Sequence, residues 1–169
     1  CEMDIVPARS AKQVTEAANL MCALVQANKA LYADDLVTVE DYYRGSWFFS
    51  DAPVVPAHFL PPNGDVLVAY LNGAAAGTVA TYRMRDDICE LKSMFVSPDH
   101  RRKGVAVALC GAVISLARSQ GFEFVRLSTG LRQPEARRLY QAMGFRMVPP
   151  WISDPPEGYD YFELKLQSA

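Results

Sequence analysis

The stretch that decides the fold is ELKSMFVSPDHRRKGVA, residues 90–106. Its first part completes an apolar run from Ile88 to Val96, which predicts a strand. The turn Ser97-Pro98-Asp99-His100 and the basic segment Arg101-Arg102-Lys103-Gly104 then lead into the apolar run of a buried helix. A helix that starts behind a basic, glycine-containing loop presents free N–H groups and a positive dipole end, which attract phosphate. The alternative is a solvated basic loop at an ordinary helix start.

The segments that follow complete a strand–helix–strand unit. Residues 104–120 are apolar nearly all round, which indicates a buried helix, and Gly121 is its stop signal. The next strand is predicted from Phe122 to Leu127, so residues 88–127 form the crossover unit that joins two parallel strands. In the loop, Gly104 would let the backbone approach an anion closely, and the small Ala106 keeps side-chain bulk away from it.

The rest of the chain supplies further strands and helices. Ser10 followed by Gln13 is a capping-box pattern, and apolar residues at helical spacing behind it predict a helix over 11–30. Asn72-Gly73 is typical of a hairpin turn, and the run 88–96 is expected to pair beside that hairpin. The other predicted elements are a strand at 3–6, a helix opened by Thr38 and Asp41 that breaks near Gly45, a proline-rich loop over 50–64, hairpin strands at 65–71 and 75–83, a helix at 134–143, and strands near 146–151 and 159–166.

Composition indicates one globular domain over residues 1–169, with 50% hydrophobic residues, 21% charged residues and a formal net charge of −2. The charge is unevenly divided. Residues 1–86 hold 6 basic and 10 acidic side chains, whereas residues 87–169 hold 11 basic and 9 acidic. The near-neutral total gives no support to a nucleic-acid-binding protein, which would have a strongly basic domain.

The sequence indicates neither a metal site nor a membrane segment. His58 and His100 lie far from any cysteine, and no CxxC pattern is present, so no zinc pattern is formed. No apolar run reaches the roughly 18 residues of a membrane span, and no signal segment is recognisable. Scattered cysteines favour small core residues in a reducing compartment, so we expect a cytoplasmic protein. Cys110 lies within the predicted buried helix without a histidine partner, which favours packing over nucleophilic catalysis.

Two motifs resemble the signature of the GNAT family of acyl-CoA-dependent N-acetyltransferases. The first runs from Glu90 to Pro98 and continues as Arg101-x-x-Gly104-x-Ala106, which is similar to the family's Gln/Arg-x-x-Gly-x-Gly/Ala loop. The second is Ala136-x-x-Leu139-Tyr140-x-x-x-Gly144-Phe145. The resemblance implies an α/β (α+β) fold, in which a mixed central sheet of about six or seven strands is flanked by about four helices. It also implies that the strands at 88–96 and 123–128 splay apart.

The resemblance further implies where acetyl-CoA binds as the cosubstrate. Backbone groups of Met94, Phe95 and Val96 would pair with the acyl and pantetheine amides, so that the cosubstrate lies like an added strand. Backbone amides and positive side chains of the following segment would hold the pyrophosphate, and the adenine would lie outside. The residues of that segment are Arg101, Arg102, Lys103, Gly104, Val105 and Ala106.

Acetyl transfer to an amine requires a neutral nucleophile, whereas an alkyl amine with a pKa of about 10 is protonated at pH 7. Glu90 stands where some relatives of the family carry a general-base glutamate; the alternative is an ion-pair partner for Lys92 or for an arginine. Tyr140 matches the tyrosine with which the family protonates or hydrogen-bonds the leaving thiolate; the alternative is a core aromatic. Gln133 departs from the family pattern, since many members have an asparagine there that contacts the cofactor.

The segment expected to wall the acceptor site combines acids with aromatic side chains, which suits a cationic amine. An amphipathic helix with its acids in water is the alternative. The residues concerned are Asp34, Asp35, Glu40, Asp41, Tyr42, Tyr43, Trp47, Phe48 and Phe49. Residues 151–159 could close the other side, or could simply be a proline-shaped connection between the last two strands.

These features predict an enzyme that transfers an acetyl group from acetyl-CoA to a primary amine of a small molecule or of an amino-acid-like acceptor, by direct attack in a ternary complex. A peptide amine is a second acceptor class. The alternative from another class is a non-catalytic acyl-CoA sensor or interaction module. We expect no nucleic-acid, membrane or metal partner, and the resemblance leaves a homodimer open.

Overall fold

The computed structural model describes residues 1–34 and 54–167. Seven strands and three α-helices lie in these residues. The strands are β1 (Met3–Pro7), β2 (Gly64–Leu71), β3 (Ala74–Arg85), β4 (Ile88–Val96), β5 (Phe124–Gly130), β6 (Arg146–Val148) and β7 (Tyr159–Lys165). The helices are α1 (Ala11–Leu31), α2 (Val105–Ser119) and α3 (Pro134–Ala142), and short 3-10 helices occur at Ala57–Phe59 and Pro98–His100.

All seven strands form one mixed sheet in the order β1-β2-β3-β4-β5-β7-β6. The pair β4–β5 is parallel and is joined through α2, whereas the other neighbours are antiparallel. The expected sheet of six or seven strands and the strand–helix–strand unit are therefore confirmed. The predicted helix opened by Thr38 and Asp41 lies outside the described residues.

Helices cover both faces of the sheet and bury a separate apolar cluster on each. One cluster joins α2 and α3 to β2–β5 and β7, with Val113, Leu127 and Phe162 among its fully buried members. The other joins α1 to β2 and β3 through Met21 and Val68. Because successive side chains of a strand point to opposite faces, each residue of β4 and β5 faces either α1 or the α2–α3 layer.

The helix ends explain where prediction and structure differ. The capping box of α1 is confirmed, since Gln13 N donates to Ser10 Oγ at 3.1 Å and Ser10 N to the Gln13 side chain at 3.0 Å. At the end of α2, Gly121 adopts φ +82° and Phe122 N donates back to Ala117 O at 3.1 Å. Phe122 thus completes a Schellman cap, and β5 begins two residues later than the sequence predicts.

Strand β6 ends at Val148, earlier than the predicted strand near 146–151. Pro149 and Pro150 follow it, and a proline has no N–H to donate to a ladder. The chain therefore leaves the sheet there and returns at Tyr159.

Gly77 on β3 sets how closely α2 approaches the sheet. A Cβ atom at this position would lie 2.9 Å from the Phe95 carbonyl oxygen and 3.0 Å from Val105 Cγ1. Only glycine leaves room for both neighbours. The first turn of α2 can therefore rest against β3, directly beside the end of β4. Within the described ranges, no helix has the length and apolar character needed to cross a membrane.

Candidate active site

The centre of the candidate site is a fork between β4 and β5. The two strands pair only over Ile88–Glu90 and Phe124–Arg126. Beyond that point β4 continues to Val96 and β5 continues to Gly130, but the two strands no longer pair with each other. The expected splay of these strands is therefore confirmed. Unpaired backbone edges face each other across the fork, and an extended molecule carrying amide groups could pair with them.

A β-bulge lies in the part of β4 that borders the fork. Its register with β3 shifts where one residue of β3 opposes Ser93 and Met94, and Ser93 has φ +55°. A bulge leaves its extra residue unpaired and bends the strand. Just beyond it, Phe95 is buried, whereas Met94 and Val96 are half-buried and pack beside the core. The backbone here departs from a regular ladder next to the residues at which the family resemblance implies acyl and pantetheine contacts.

The loop behind β4 delivers an open helix N-terminus. Arg102 and Gly104 have φ +61° and +81°, and no side chain caps the first turn of α2. Val105 is buried and anchors the helix start, whereas residues 101–104 are exposed. The first N–H groups of an uncapped helix lack partners within the helix and carry its positive dipole end. This loop can therefore bind an anion through its backbone.

Positive side chains frame that helix start. Arg101 Nε donates to Val96 O at 3.3 Å, and its guanidinium lies 6.0 Å from the Phe95 ring centre. Lys103 Nζ donates to Asp99 O at 3.4 Å. Both cations are thereby held at the junction between β4 and α2, where they add to the helix dipole. The arrangement suits a polyanion such as a pyrophosphate.

Tyr140 lies on α3 and is 4% exposed. Its ring meets Phe145 edge-to-face with a centroid distance of 5.7 Å, and Phe145 N donates to Tyr140 O at 3.0 Å. Gly144 makes this return possible with φ +98°. The tyrosine belongs to the apolar cluster that also contains Val105 and Leu127, so it lies on the α2–α3 side of the sheet.

Glu90 is also buried, at 4% exposure, and it lies on the α1 side. Its carboxylate accepts a hydrogen bond from the Tyr82 hydroxyl, and Lys92 Nζ lies 3.2 Å from Oε1. The ion pair with Lys92 that the sequence offered as an alternative is thus present. The Tyr82 contact was not anticipated, although Tyr82 faces Glu90 directly in the β3–β4 register. The hairpin pattern could have revealed it once the register was known.

A row of polar side chains crosses the sheet where the fork begins. Glu90 and Arg126 form the last residue pair between β4 and β5. Arg126 in turn faces Glu163 on β7, and its Nε donates to the Glu163 carboxylate at 2.8 Å. We call Tyr82, Glu90, Arg126 and Glu163 the polar row. No sequence motif marked Arg126 or Glu163, because the row forms only when four strands lie in register.

His58 borders the polar row from the 3-10 helix that precedes β2. Its ring meets the Tyr82 ring at a right angle, with centroids 5.6 Å apart. Partial burial lowers the pKa of His58, and the nearby Lys92 charge lowers it further, whereas Glu90 acts in the opposite direction. The imidazole is therefore neutral at pH 7 and able to accept a proton. The sequence excluded His58 from a metal site but did not place it near Glu90.

Asp34 is the one described member of the predicted acceptor-side acids. It pairs with Arg132, with 2.5 Å between Oδ1 and Nη1, and this pair lowers the pKa of Asp34. Arg132 Nη1 also donates to Leu31 O at 3.3 Å. Asp34 therefore ties the end of α1 to the β5–α3 loop. The other members, residues 35–49, lie outside the described part of the chain.

Gln133 occupies the position where the family pattern has an asparagine. Its Nε2 donates to Asn28 Oδ1 at 2.9 Å, and Thr129 Oγ1 donates to its Oε1 at 3.3 Å. The side chain thus connects α1 with the start of α3. These two hydrogen bonds explain a structural role for Gln133 that needs no contact with a ligand. They also hold the start of α3, the helix that carries Tyr140.

Trp151, from the connection between β6 and β7, reaches the polar row. The centre of its ring lies 5.1 Å from the guanidinium carbon of Arg126. The ring also meets the Tyr161 ring edge-to-face, with centroids 4.9 Å apart. A residue of the predicted closing loop therefore does contact the α1 side of the sheet beside the fork.

Cys110 is fully buried in α2, and burial raises the pKa of its thiol to about 12. It stays protonated at pH 7, which fits a packing role. Across residues 1–34 and 54–167, no cluster of three or more His, Cys, Asp or Glu side chains could hold a metal ion.

Comparison with known proteins places these features in a family. The family model described as the acetyltransferase (GNAT) family matches residues 31–145. N-acetyltransferase 8 of Homo sapiens is 44% identical over 63 residues, which cover 37% of this chain and 28% of the human protein. N-acetylaspartate synthetase of Danio rerio is 36% identical over 101 residues, which cover 59% of this chain and 36% of that protein. The matched region is therefore well under half the length of either relative.

The solved structures show the same fold. A GNAT family acetyltransferase of Elizabethkingia anophelis, solved with acetyl-CoA bound, superposes with a TM-score of 0.64 at 17% identity. The superposition covers 97% of this chain and 98% of that one. At this identity the similarity concerns the overall fold.

Proposed function

Since the chain belongs to the GNAT family of acetyltransferases, we propose that it transfers an acetyl group from acetyl-CoA to a primary amine of a small-molecule or amino-acid-like acceptor, by direct attack in a ternary complex. The observation that carries this proposal is the fork, open beside an uncapped helix N-terminus and bordered by Glu90 and Tyr140 on its two sides. The relative named N-acetylaspartate synthetase supports including amino acids among the acceptors.

The residues present fit acetyl-CoA, which supplies the acetyl thioester. Backbone N–H groups of residues 102–106 would hold the pyrophosphate, and Arg101 and Lys103 would add charge. The unpaired edge of β4 at Met94, Phe95 and Val96 would pair with the amides of the pantetheine arm. The bulge at Ser93 would aim a free N–H at the thioester oxygen, where negative charge develops during attack.

The two proposed catalytic residues lie on opposite faces of the sheet. Glu90 faces α1, as its contact with Tyr82 requires, and Tyr140 lies in the α2–α3 cluster. The amine would approach the thioester carbon from the Glu90 side, and the sulfur would leave towards Tyr140. Attack and departure on opposite sides keep the base and the acid apart, so that they do not neutralise each other.

The proposed transfer moves one proton to Glu90 and one from Tyr140 to the leaving sulfur. Glu90, directly or through a water, receives one proton from the acceptor ammonium, which makes the nitrogen lone pair available. The new C–N bond forms as the C–S bond breaks, and Tyr140 donates its hydroxyl proton to the departing sulfur. The second amine proton is lost after attack and restores Tyr140 through solvent. The sum is an N-acetyl amide, free coenzyme A and one released proton.

Gly104→Ala tests the role of the anion-binding loop. A Cβ at Gly104 would meet no atom within 4 Å, so its cost is the strain of φ +81°. We expect a loss of about 1 kcal/mol in the free energy of unfolding. We also expect roughly tenfold weaker acetyl-CoA binding by calorimetry, because the added methyl group approaches the anion.

Gly73→Ala is the matched control, since Gly73 has φ +82° and open space around its Cβ but lies in the β2–β3 turn. It should cost similar stability and leave acetyl-CoA affinity unchanged. Equal weakening of binding by both variants would contradict the placement of the pyrophosphate.

The function itself is tested by thermal shift with acetyl-CoA and longer acyl-CoAs, followed by thiol-release assays over primary amines and amino acids. We expect stabilisation by acetyl-CoA and thiol release with at least one acceptor. Stabilisation without release for every amine and peptide would instead favour a non-catalytic acyl-CoA-binding module. The absence of stabilisation by any acyl-CoA would overturn the proposal.

A further inference from the structure

Arg126 stands next to the proposed base on the acceptor side of the fork. It is the β5 partner of Glu90 in the last β4–β5 pair. Its neighbours Val125 and Leu127 point into the α2–α3 cluster, so the Arg126 side chain points to the α1 side, where Glu90 also lies. Its side chain is 19% exposed. Arg126 thus extends from the position next to Glu90, on the face from which the proposed function brings the amine.

The contacts of Arg126 leave its two terminal nitrogens available. Nε donates to Glu163, and the guanidinium carbon lies 5.1 Å from the centre of the Trp151 ring. Among the described residues, neither Nη group donates a hydrogen bond. Glu163 and Trp151 therefore hold the guanidinium in place, and the described residues leave its two terminal nitrogens without a hydrogen-bond acceptor. Two parallel N–H groups on a fixed guanidinium match planar anions such as a carboxylate, which an amino acid carries.

The charges around Glu90 favour an acceptor of zero net charge. Glu90 and Glu163 contribute two negative charges on this face, and Lys92 and Arg126 contribute two positive charges. A diamine or polyamine would bring a second cation close to Lys92 and Arg126, which costs free energy. A zwitterion presents its ammonium to Glu90 and its carboxylate to Arg126, so each charge meets its opposite.

We propose that the acceptor is a free amino acid whose carboxylate is bound by Arg126 while its ammonium is received by Glu90. This inference rests on the proposed function. Neighbouring strands lie about 4.8 Å apart, and the ammonium and carboxylate of an α-amino acid share one carbon atom, so a single molecule spans both side chains. Arg126 is thereby the residue that selects for a carboxylate, and Glu163 and Trp151 position it.

The test compares amino acids with their decarboxylated amines in the full chain, using tyrosine with tyramine and histidine with histamine. The measurement is kcat/KM by thiol release at fixed pH. In Arg126→Gln we expect kcat/KM for the amino acids to fall roughly 100-fold, because a charged two-point contact is lost. The amines should change less than about threefold, since they make no such contact.

Arg146→Gln is the matched control. Arg146 faces Glu163 from β6, is exposed and carries the same charge, but it lies two strands farther from Glu90 than Arg126 does. This variant should leave the preference for amino acids over amines unchanged. Arg126→Lys keeps the charge without the two-pronged edge and should recover part of the loss.

The outcomes separate this inference from the proposed function. Thiol release with tyramine and histamine at least as efficient as with tyrosine and histidine would overturn the carboxylate site while leaving acetyl transfer intact, and this comparison needs no variant to fold. Equal losses for amino acids and amines in Arg126→Gln, or the same shift in Arg146→Gln, would make Arg126 a structural residue. No thiol release with any acceptor would overturn the proposed function and this inference with it.

Discussion

Tyr140→Phe should lower kcat at least about 100-fold while leaving acetyl-CoA affinity within about twofold, because proton donation contributes roughly 10²–10⁴ to such steps. A 100-fold loss corresponds to about 2.7 kcal/mol of transition-state stabilisation. Phenylalanine keeps the aromatic ring that contacts Phe145, so the fold should be retained. Single-turnover thiol release, with calorimetry for acetyl-CoA, measures both quantities.

Tyr70→Phe is the control for loss of a tyrosine hydroxyl. Tyr70 donates to Glu16 of α1 at 3.0 Å, on β2 and away from the fork. Its removal should leave kcat unchanged. An unaltered kcat in Tyr140→Phe would show that the tyrosine is only a core aromatic. A loss of acetyl-CoA binding equal to the loss of kcat would assign its hydroxyl to binding instead.

Glu90→Gln should lower kcat/KM at pH 7 by roughly 30- to 100-fold, because the amide cannot take the ammonium proton. Glutamine has nearly the same shape, and its carbonyl oxygen can still accept the hydrogen bond from Tyr82. The measured quantity is kcat/KM for the best acceptor found in the thiol-release assay.

The pH dependence gives the sharper test of Glu90. An acceptor amine has a pKa of about 10, so its neutral fraction rises tenfold per pH unit below that value. The variant depends on this neutral fraction, and its activity should approach that of the wild type between about pH 7 and pH 9.5. A wild-type advantage that stays constant over this range would show that Glu90 positions the acceptor without receiving a proton.

The chain contains a matched control for Glu90. Glu16 also accepts from a tyrosine hydroxyl and pairs with a lysine, Lys12, at 3.2 Å, but its tyrosine lies on β2, two strands away from β4. Glu16→Gln removes the same charge from the same set of contacts. It should change neither kcat/KM nor its pH profile, and an effect as large as that of Glu90→Gln would indicate a general loss of stability.

Much of the fold follows from local sequence signals. The capping box at Ser10, the turn at Asn72-Gly73 and the apolar run 88–96 each specify an element through contacts within a few residues. The errors occurred at ends of elements. Phe122 looks like the start of a strand, yet its N–H closes the cap of α2. An apolar residue after a helix can either begin a strand or close the helix cap. Phe122 closes the cap because Gly121 adopts a positive φ.

The candidate site divides in the same way. The uncapped start of α2 behind the basic loop could be predicted because its N–H groups belong to consecutive residues. The contact of Glu90 with Tyr82 requires the register of the β3–β4 pair, and the nearness of His58 could not be predicted, since His58 comes from a separate segment. Gln133 departs from the family motif, and only the structure shows its role, which is to connect α1 with the start of α3.

Residues 90–106 alone specify a strand, a basic turn and an uncapped helix start, since each of these depends on dihedral preferences and hydrogen bonds between near neighbours in the chain. The uneven division of charge between residues 1–86 and residues 87–169 is equally a property of the sequence. The fork, and the pairing of Glu90 with Arg126 across it, arise only when β4 and β5 meet as parallel strands and then separate. The register of β4 against β5 is set by which faces of both strands are buried in the folded sheet, so no single local segment encodes it. The basic loop is therefore a feature of the sequence, whereas the polar row, in which Arg126 lies between Glu90 and Glu163, is a feature of the tertiary structure.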